Sequence, residues 1–289
     1  METMTAMDKL YSAVLPPKTD SYTPISHKFI DESTKKVLKE MGFTISKIHY
    51  RSSTDGRVGQ AEYHLNYGND PEMGLMVAWQ NSYNKLVSFK YAVGAHVFIC
   101  SNGCVAGDIG AYRRKHTGTA DEDATSTIVS YLSSAKNIFE KLVEDREKLK
   151  KIDLTPTRMA EIMGRMFIEK EIITSTQINI MKRELEKPTY DYGVPVNNAW
   201  SLYNFATFAF KEDSPRNWMN RHIDLHGFFA ETFDLETMEY TPRTPKAEQP
   251  SLFTEEEPEE DFLEQVFLDE DTVKEEPKKD TYMDLLDEF

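Results

Sequence analysis

The sequence predicts an α+β fold in which an N-terminal antiparallel β-meander is packed by a long helix and followed by a helical C-terminal half. Two observations carry this prediction. Residues 43–100 contain short β-rich runs separated by glycine, asparagine and aspartate turns. Residues 120–233 instead repeat their apolar side chains every three or four positions, which is the helical period. Strands followed by helices are typical of the α+β class.

One helix should precede the strands. Residues 1–24 are predicted to form a flexible N-terminal arm, after which Ser26 can cap a helix that ends at Gly42. The predicted strands cover residues 43–51, 58–67, 73–80, 86–93 and 96–100, and Gly94-Ala95 would turn the last two into a hairpin. The short turns favour antiparallel pairing.

The second half of the chain reads as helices. Residues 120–150 are predicted to form one long amphipathic helix that lies across the sheet. Thr155 and Pro156 supply the N-cap and the first-turn proline of the next helix. Further helices are predicted at residues 175–186, 197–211 and 215–233, so that the ordered domain spans residues 25–240.

The charge of the chain is concentrated in a tail. The whole sequence has 49 acidic and 34 basic residues, a net charge of −15. Residues 241–289 hold 17 acidic and 5 basic residues, so they carry −12 and leave −3 for the rest. Because this tail has little apolar content to offset its ordering entropy, it is predicted to be disordered. Such asymmetry indicates a nearly neutral domain with an acidic arm.

The composition argues against several classes of protein. Cys100 and Cys104 are the only cysteines, which is too few for a disulfide framework or a cysteine-rich metal site. The sequence lacks a membrane-spanning apolar run and a signal-peptide core, so we expect a cytoplasmic protein. Residues 103–110 are rich in glycine but lack the lysine of a phosphate-binding loop, and no cofactor is predicted.

The densest basic cluster lies where the strands give way to helices. Cations along a phosphate track, together with rings that stack on bases, are what single-stranded DNA binding requires. We expect stacking from Tyr83 and Tyr112, which lie in predicted loops. The predicted DNA-binding residues are Arg113, Arg114, Lys115, His116, Tyr83, Tyr112, Lys85, Lys90, Arg51 and Arg57. The competing interpretation is that the cations form an ordinary solvated face beside core rings.

An enzyme finds less support in the sequence. His222 and His226 are four residues apart on one predicted helix face, a spacing that can hold a metal ion. However, the glutamate of a HExxH motif and an obvious third ligand are both missing, so core or exposed histidines are the simpler interpretation. No catalytic residue is predicted, and a metal-dependent nuclease remains an alternative.

The acidic tail contains two short apolar segments. The first, at residues 249–253, resembles the pentapeptide by which bacterial polymerases and repair proteins bind the sliding clamp, with a proline at its second position. The second is the extreme C-terminus, which resembles the acidic tip of single-stranded-DNA-binding proteins. The predicted partner-binding residues are Gln249, Ser251, Leu252, Phe253, Leu285, Leu286 and Phe289.

Four motifs give the chain a resemblance to a phage- and plasmid-borne family of unknown function. Residues 81–85 read NSYNK where the family pattern has NSHDG, and residues 96–102 read HVFICSN where it has RVVCxNT. Residues 115–118 read KHTG beside the family's RHT, and residues 198–207 read NAWSLYNFAT beside its TxWGLYNAVTEY. The resemblance covers about residues 25–235 and implies a setting among mobile elements.

These observations lead to one hypothesis with two alternatives. The hypothesis is a phage- or plasmid-type protein that binds single-stranded DNA, anneals strands in replication or recombination, and recruits the host clamp or repair proteins through its tail. The first alternative is a non-catalytic adaptor or inhibitor of host replication or defence proteins. The second is the nuclease described above. Annealing proteins commonly form rings, and exposed strand edges could mediate a homo-oligomer, but the sequence does not determine the oligomeric state.

Overall fold

Four long strands form the meander that the turn pattern predicts. The computed structural model describes residues 4–235 except 69, 100–102, 106–110, 119 and 215, and the side chains of 103–105, 111–114 and 120–123 are also outside the description. The strands pair antiparallel in the order β1-β2-β3-β4. They are β1 (Thr44–Ser52), β2 (Val58–Asn66), β3 (Met73–Ser82) and β4 (Phe89–Val97).

Two short strands extend the sheet beyond β4. β5 (Gly103–Val105) pairs with residues 94–96 of β4, and β6 (Ala111–Arg114) pairs with residues 89–92. Both are antiparallel to β4. The predicted hairpin around Gly94-Ala95 is therefore wrong, because both residues lie within β4 and pair continuously with β3. Residues predicted as two strands form one.

The helices frame this sheet. Helix α1 (Ala6–Ser12) lies within the predicted N-terminal arm and buries Leu10. Helix α2 (His27–Glu40) begins at the predicted Ser26 cap, and Gly42 beyond its end has a φ of 80°. The helices after the sheet are α3 (Ala120–Ser133), α4 (Ala135–Lys150), α5 (Pro156–Gly164), α6 (Ser175–Glu186), α7 (Ala199–Ala209) and α8 (Trp218–Phe233). Short π and 3-10 segments follow α5 and α7.

The strand and helix content confirms the predicted α+β class. The single helix expected over residues 120–150 is instead two helices, α3 and α4, which meet at Ser134. Ser134 lacks a side-chain capping bond, so an apolar repeat that continues through it gives no local signal of the break. Among the described residues, none of the helices is both long enough and apolar enough to cross a membrane.

The two faces of the sheet differ in chemistry. One face forms the main core, where Trp79, Tyr63 and Tyr91 are fully buried with side chains of α3 and α4 such as Ile128 and Phe139. Each fully buried side chain of this size stabilises the fold by about 1.5–3 kcal/mol. The opposite face, which we call the polar face, carries the buried side chains of Gln60, Glu62, Gln80 and Lys90. A small apolar cluster on it, Met76, Ala78 and Ala92, packs against Trp218 and Met219 of α8.

A buried carboxylate joins the first helices to the sheet. Asp31 of α2 is fully buried and accepts hydrogen bonds from the hydroxyl groups of Tyr11, Tyr50 and Tyr63. Lys35 Nζ lies 2.8 Å from the same carboxylate and is one-third exposed. Because a buried charge is tolerated only when it is paired and hydrogen-bonded, these four donors make Asp31 a stable anchor. The anchor connects α1, α2, β1 and β2.

We predict that this anchor dominates the stability of the N-terminal part of the domain. Asp31→Asn should lower the free energy of unfolding by about 3 kcal/mol, because it leaves buried donors without a charged acceptor. Tyr11→Phe should cost about 1–2 kcal/mol, since it removes one bond to a charged group. Urea denaturation measures both. The control is Asp20→Asn at an exposed position, which should change the free energy of unfolding by less than about 0.5 kcal/mol. The prediction is contradicted if Asp31→Asn destabilises the protein no more than Asp20→Asn does.

Candidate nucleic-acid interface

The turn between β3 and β4 is held by its own side chains. Ser82 Oγ donates to the carbonyl of Val87 at 2.8 Å and accepts from the Val87 amide at 3.0 Å, which closes the turn. Asn81 Nδ2 donates to the carbonyl of Ile25 at 2.7 Å and so ties the end of β3 to the segment before α2. The residues that resemble the family's NSHDG turn therefore have structural roles at this end of the sheet.

The ring of His27 stacks on Tyr83 in the same turn. The ring of His27 is 4.0 Å from that of Tyr83 with an interplanar angle of 12°, and the His27 amide donates to Tyr83 Oη at 2.8 Å. Asn81 Nδ2 is 3.0 Å from His27 Nδ1. Burial lowers the pKa of His27 to about 4, so its ring is uncharged at neutral pH. It therefore acts as a neutral support for the turn.

The segment that follows β6 meets this turn through Tyr22. The amide and hydroxyl of Thr23 donate to the carbonyls of His116 and Gly118, each at 2.8 Å. The rings of Tyr22 and His116 are in edge contact with centroids 5.7 Å apart, and Tyr22 Oη donates to the carbonyl of Tyr83 at 3.2 Å. The turn at residues 82–87 and the segment at residues 115–118 are thus brought together.

Three exposed cations belong to the segments that meet at this junction. Lys85 Nζ is 4.8 Å from the centroid of the Tyr22 ring, and Lys115 precedes His116 in the segment after β6. The carbonyl of Arg57 accepts from the Tyr83 amide at 2.7 Å, and the Arg57 side chain is 63% exposed. We call Arg57, Lys85 and Lys115 the sheet-end patch. Asp55 lies 3.6 Å from Arg57 Nε and offsets part of its charge.

Two predicted contacts at this junction need correction. The sequence predicts that Tyr83 stacks on bases, but its ring is only 6% exposed and stacks on His27. The sequence also predicts that His116 contacts phosphates, but its side chain is 6% exposed and burial lowers its pKa. Both side chains are therefore supports of the patch rather than direct contacts.

Arg51 and Lys90 lie near the same end of the sheet as the sheet-end patch, but on the polar face. Lys90 is 7% exposed and its Nζ donates to Asn220 Oδ1 at 2.7 Å. The Arg51 guanidinium lies 5.6 Å from the centroid of Trp218 and its Nε is 3.7 Å from Glu62 Oε1. Helix α8 contributes Asn220 and Trp218, so it covers Lys90 and packs on Arg51, whose side chain is 29% exposed. The predicted DNA contact of Lys90 is therefore wrong, whereas that of Arg51 stays a prediction.

The remaining predicted cations stay untested. Arg113 and Arg114 lie in β6, where they pair in register with Lys90 and Phe89, and Tyr112 pairs with Tyr91. Tyr112 is thus in a strand and not in the predicted loop. The side chains of these three residues are outside the description. The partner-binding residues of the tail, Gln249, Ser251, Leu252, Phe253, Leu285, Leu286 and Phe289, also lie outside the described residues.

Three histidines form a second feature of the polar face. His64 stacks on His96 with ring centroids 3.9 Å apart, and His49 is 5.1 Å from His64. Burial lowers the pKa of His64 to about 3 and that of His96 to about 4. His64 and His96 stack face to face, so their ring nitrogens do not point at a common centre. Within the described ranges, no group of three or more histidine, cysteine or acidic side chains could hold one.

The two histidines of the nuclease alternative, His222 and His226, contact different neighbours. His222 is 1% exposed and packs against Phe210 and Trp218. His226 Nε2 lies 3.5 Å from Asp145 Oδ2 instead. The two histidines therefore serve different parts of the α8 interface, which matches their interpretation as core residues.

Sequence reasoning missed the residues that organise the junction. Tyr22 and His27 were assigned no role because an isolated tyrosine or histidine near a helix start has no distinctive pattern. The available signal was Asn81: a fully buried amide requires partners, and its partners are the carbonyl of Ile25 and the ring of His27.

The backbone at Lys85 gives a testable consequence of this turn. Lys85 has a φ of 68°, in the left-handed region that favours glycine. We predict that Lys85→Gly is more stable than Lys85→Ala by about 1 kcal/mol, because both lose the Tyr22 contact and only alanine keeps the strain. Chemical denaturation measures the difference.

A matched pair at Lys36, a helical position of α2 that is 75% exposed, provides the control. There the order should reverse, with alanine more stable than glycine by about 1 kcal/mol. The same order at both positions would argue against a left-handed requirement at residue 85.

Comparison with known proteins gives a family but no activity. Residues 16–222 match a domain of unknown function, DUF932. No curated protein and no solved structure matches the chain. The prediction of membership in a family of unknown function is confirmed, whereas the phage or plasmid setting stays a prediction. Because the match covers well over half of the 289 residues, the chain belongs to the DUF932 family.

Proposed function

We propose that this protein binds single-stranded DNA through the sheet-end patch. The observation that carries the proposal is that Lys85 lies over the ring of Tyr22, while Arg57 and Lys115 are exposed on segments that are tied to the same turn. Three exposed cations on a rigid support can follow a phosphate backbone. In this proposal His116 and Tyr83 hold the patch in place.

The shape of the patch favours a single strand over a duplex. The patch is built from turns and strand ends, at residues 57, 85 and 115. Among the described residues it presents neither a protruding helix nor a two-stranded ribbon, which are the elements that read the major groove. A flexible single strand can bend around such a patch. Strand annealing in replication or recombination, in a bacterial cytoplasm, is the role in which we place this binding.

We predict that the three cations account for much of the salt dependence of binding. Arg57→Gln/Lys85→Gln/Lys115→Gln should reduce the slope of log K against log salt by about 2, since each single-strand phosphate contact contributes about 0.7. Affinity for an unstructured oligonucleotide should fall at least tenfold at low salt. Fluorescence anisotropy in a salt titration measures both quantities.

The control changes the net charge equally at other exposed lysines. Lys36→Gln/Lys151→Gln/Lys182→Gln removes three exposed cations, in α2, directly after α4 and in α6, and its slope should stay within about 0.5 of the wild type. Equal losses in both triple variants would mean that binding is diffuse, and absence of binding in the wild type would remove the proposal.

The clamp-like motif supports recruitment of a replication partner. An extended peptide whose leucine and phenylalanine fill an apolar pocket is a known mode of recognition, and residues 249–253 fit its pattern. If the protein were only an adaptor, binding of a partner by the tail would be its whole function. In the DNA-binding protein proposed above, the tail adds a partner contact to the DNA contact of the folded domain.

We predict that the full chain binds a bacterial sliding clamp with an affinity in the micromolar range, about −8 kcal/mol. Leu252→Ala/Phe253→Ala should weaken this binding at least tenfold because it empties the pocket, and should leave oligonucleotide affinity unchanged. Calorimetry with purified clamp measures the first and anisotropy the second. Leu285→Ala/Leu286→Ala serves as the matched control within the same tail and should keep clamp binding. If clamp binding is lost only in this control variant, the clamp binds the extreme C-terminus and the prediction for residues 249–253 is wrong.

A further inference from the structure

The end of the sheet opposite the sheet-end patch contains a cavity of about 420 Å³. It lies at the start of β3 and the end of β4, where Glu72 and Phe98 meet the loop before α7 and the first turn of that helix. Cavities that bind small molecules are typically about 300–1,000 Å³, so this one can hold a flat heterocycle. The residues that line it include Glu72, Phe98, Ile99, Asp191, Tyr192 and Trp200.

The rings of this cavity differ in exposure. Tyr192 and Trp200 are 6% and 2% exposed, and each is fixed by a further ring, Phe205 for Tyr192 and Tyr203 for Trp200. Phe98 is 50% exposed, as is its neighbour Ile99. Tyr192 and Trp200 thus form a rigid floor, and Phe98 offers an aromatic face that a planar ligand can cover.

The ring of Phe98 is held in position by His96 and Gly74. Its ring makes an edge contact with His96 at 5.2 Å. A Cβ atom at Gly74 would lie 2.4 Å from His96 Cε1 and 2.9 Å from Phe98 Cε1, so both rings need glycine at this position. A preorganised ring loses less freedom on binding than a mobile one.

The two carboxylates of the cavity are not equivalent. Glu72 is neutralised by Lys150, whose Nζ lies 2.5 Å from its oxygens, and Arg146 is 3.7 Å away. Asp191 Oδ1 accepts the Gly193 amide at 2.9 Å, and no cation pairs with Asp191 among the described residues. A carboxylate has about four acceptor sites, so Asp191 keeps capacity for paired N–H donors.

We propose that this cavity binds a guanine base, with stacking on Phe98 and with its Watson–Crick N–H donors on Asp191. Guanine presents two adjacent donors, N1–H and the exocyclic amino group, which match the two oxygens of one carboxylate. Adenine places an acceptor at N1 and is disfavoured by the same carboxylate. An unpaired base of single-stranded nucleic acid is available for such recognition.

This inference rests on the proposed function for its biological setting, whereas its test does not. Guanosine lacks a phosphate, so it reports on the cavity without involving the sheet-end patch. Calorimetric titration of the full chain with guanosine should give a dissociation constant of about 0.1–1 mM, which is reasonable for a single small ligand. Adenosine and tetramethylammonium should bind at least tenfold more weakly.

Two variants separate the contributions of ring and carboxylate. Asp191→Asn keeps an oxygen for the Gly193 amide but replaces one acceptor by a donor, and should weaken guanosine at least tenfold. Phe98→Ala should weaken guanosine and adenosine alike. Asp20→Asn, at an exposed position, should bind guanosine like the wild type.

The outcomes are distinct. Equal affinity for guanosine and adenosine, tighter binding of tetramethylammonium, unchanged affinity in Asp191→Asn, or no heat up to 5 mM guanosine would each overturn the inference. The Arg57→Gln/Lys85→Gln/Lys115→Gln variant should keep wild-type guanosine affinity. Guanosine binding without any oligonucleotide binding would support the cavity and reject the proposed function, and the reverse would reject the cavity alone.

Discussion

The buried carboxylate of Asp31 is the constraint on which the rest of the structure depends. A charge without solvent requires donors, and Asp31 obtains them from three tyrosines and one lysine that belong to four different elements. Trp79 extends the network, because its Nε1 donates to Tyr63 Oη at 2.8 Å. The network therefore reaches β3 in the centre of the sheet and fixes α2 on its core face.

The position of α2, which Asp31 fixes, determines the contacts at the end of the sheet that carries the sheet-end patch. With α2 fixed, its first residue, His27, is placed under Tyr83, and the preceding segment brings Tyr22 against the turn that carries Lys85. Helix α1 is held close to the β1–β2 turn, where a Cβ at Gly56 would lie 2.2 Å from the carbonyl of Lys9. The exposed cations thus lie on segments that buried polar groups hold together.

The sequence predicts the fold better than it predicts the site. Turn residues, the Ser26 and Thr155 caps and the helical periodicity are local signals, and the elements they predict are present. The hairpin at Gly94-Ala95 fails because pairing with β3 holds both residues in β4, which is a tertiary effect. Lys90 alternates like an exposed strand residue, yet α8, some 130 residues later in the chain, covers it. The period of a strand gives the face of a side chain but not what lies over that face.

The two ends of β4 have opposite character, and this restricts how a nucleic acid could lie on the protein. The nine residues of β4 span about 30 Å at ~3.3 Å per residue. Exposed cations lie at one end, and Asp191, which pairs with no cation in the part of the chain that the structure describes, lies near the other. A phosphate is attracted to the first end and repelled at the second, whereas an uncharged base edge with N–H donors is attracted to Asp191. In the arrangement proposed above, backbone contacts at the cationic end position the strand and a base contact at the acidic end discriminates, which is the usual division between affinity and specificity. The body then needs no large net positive charge, and its near neutrality is compatible with DNA binding.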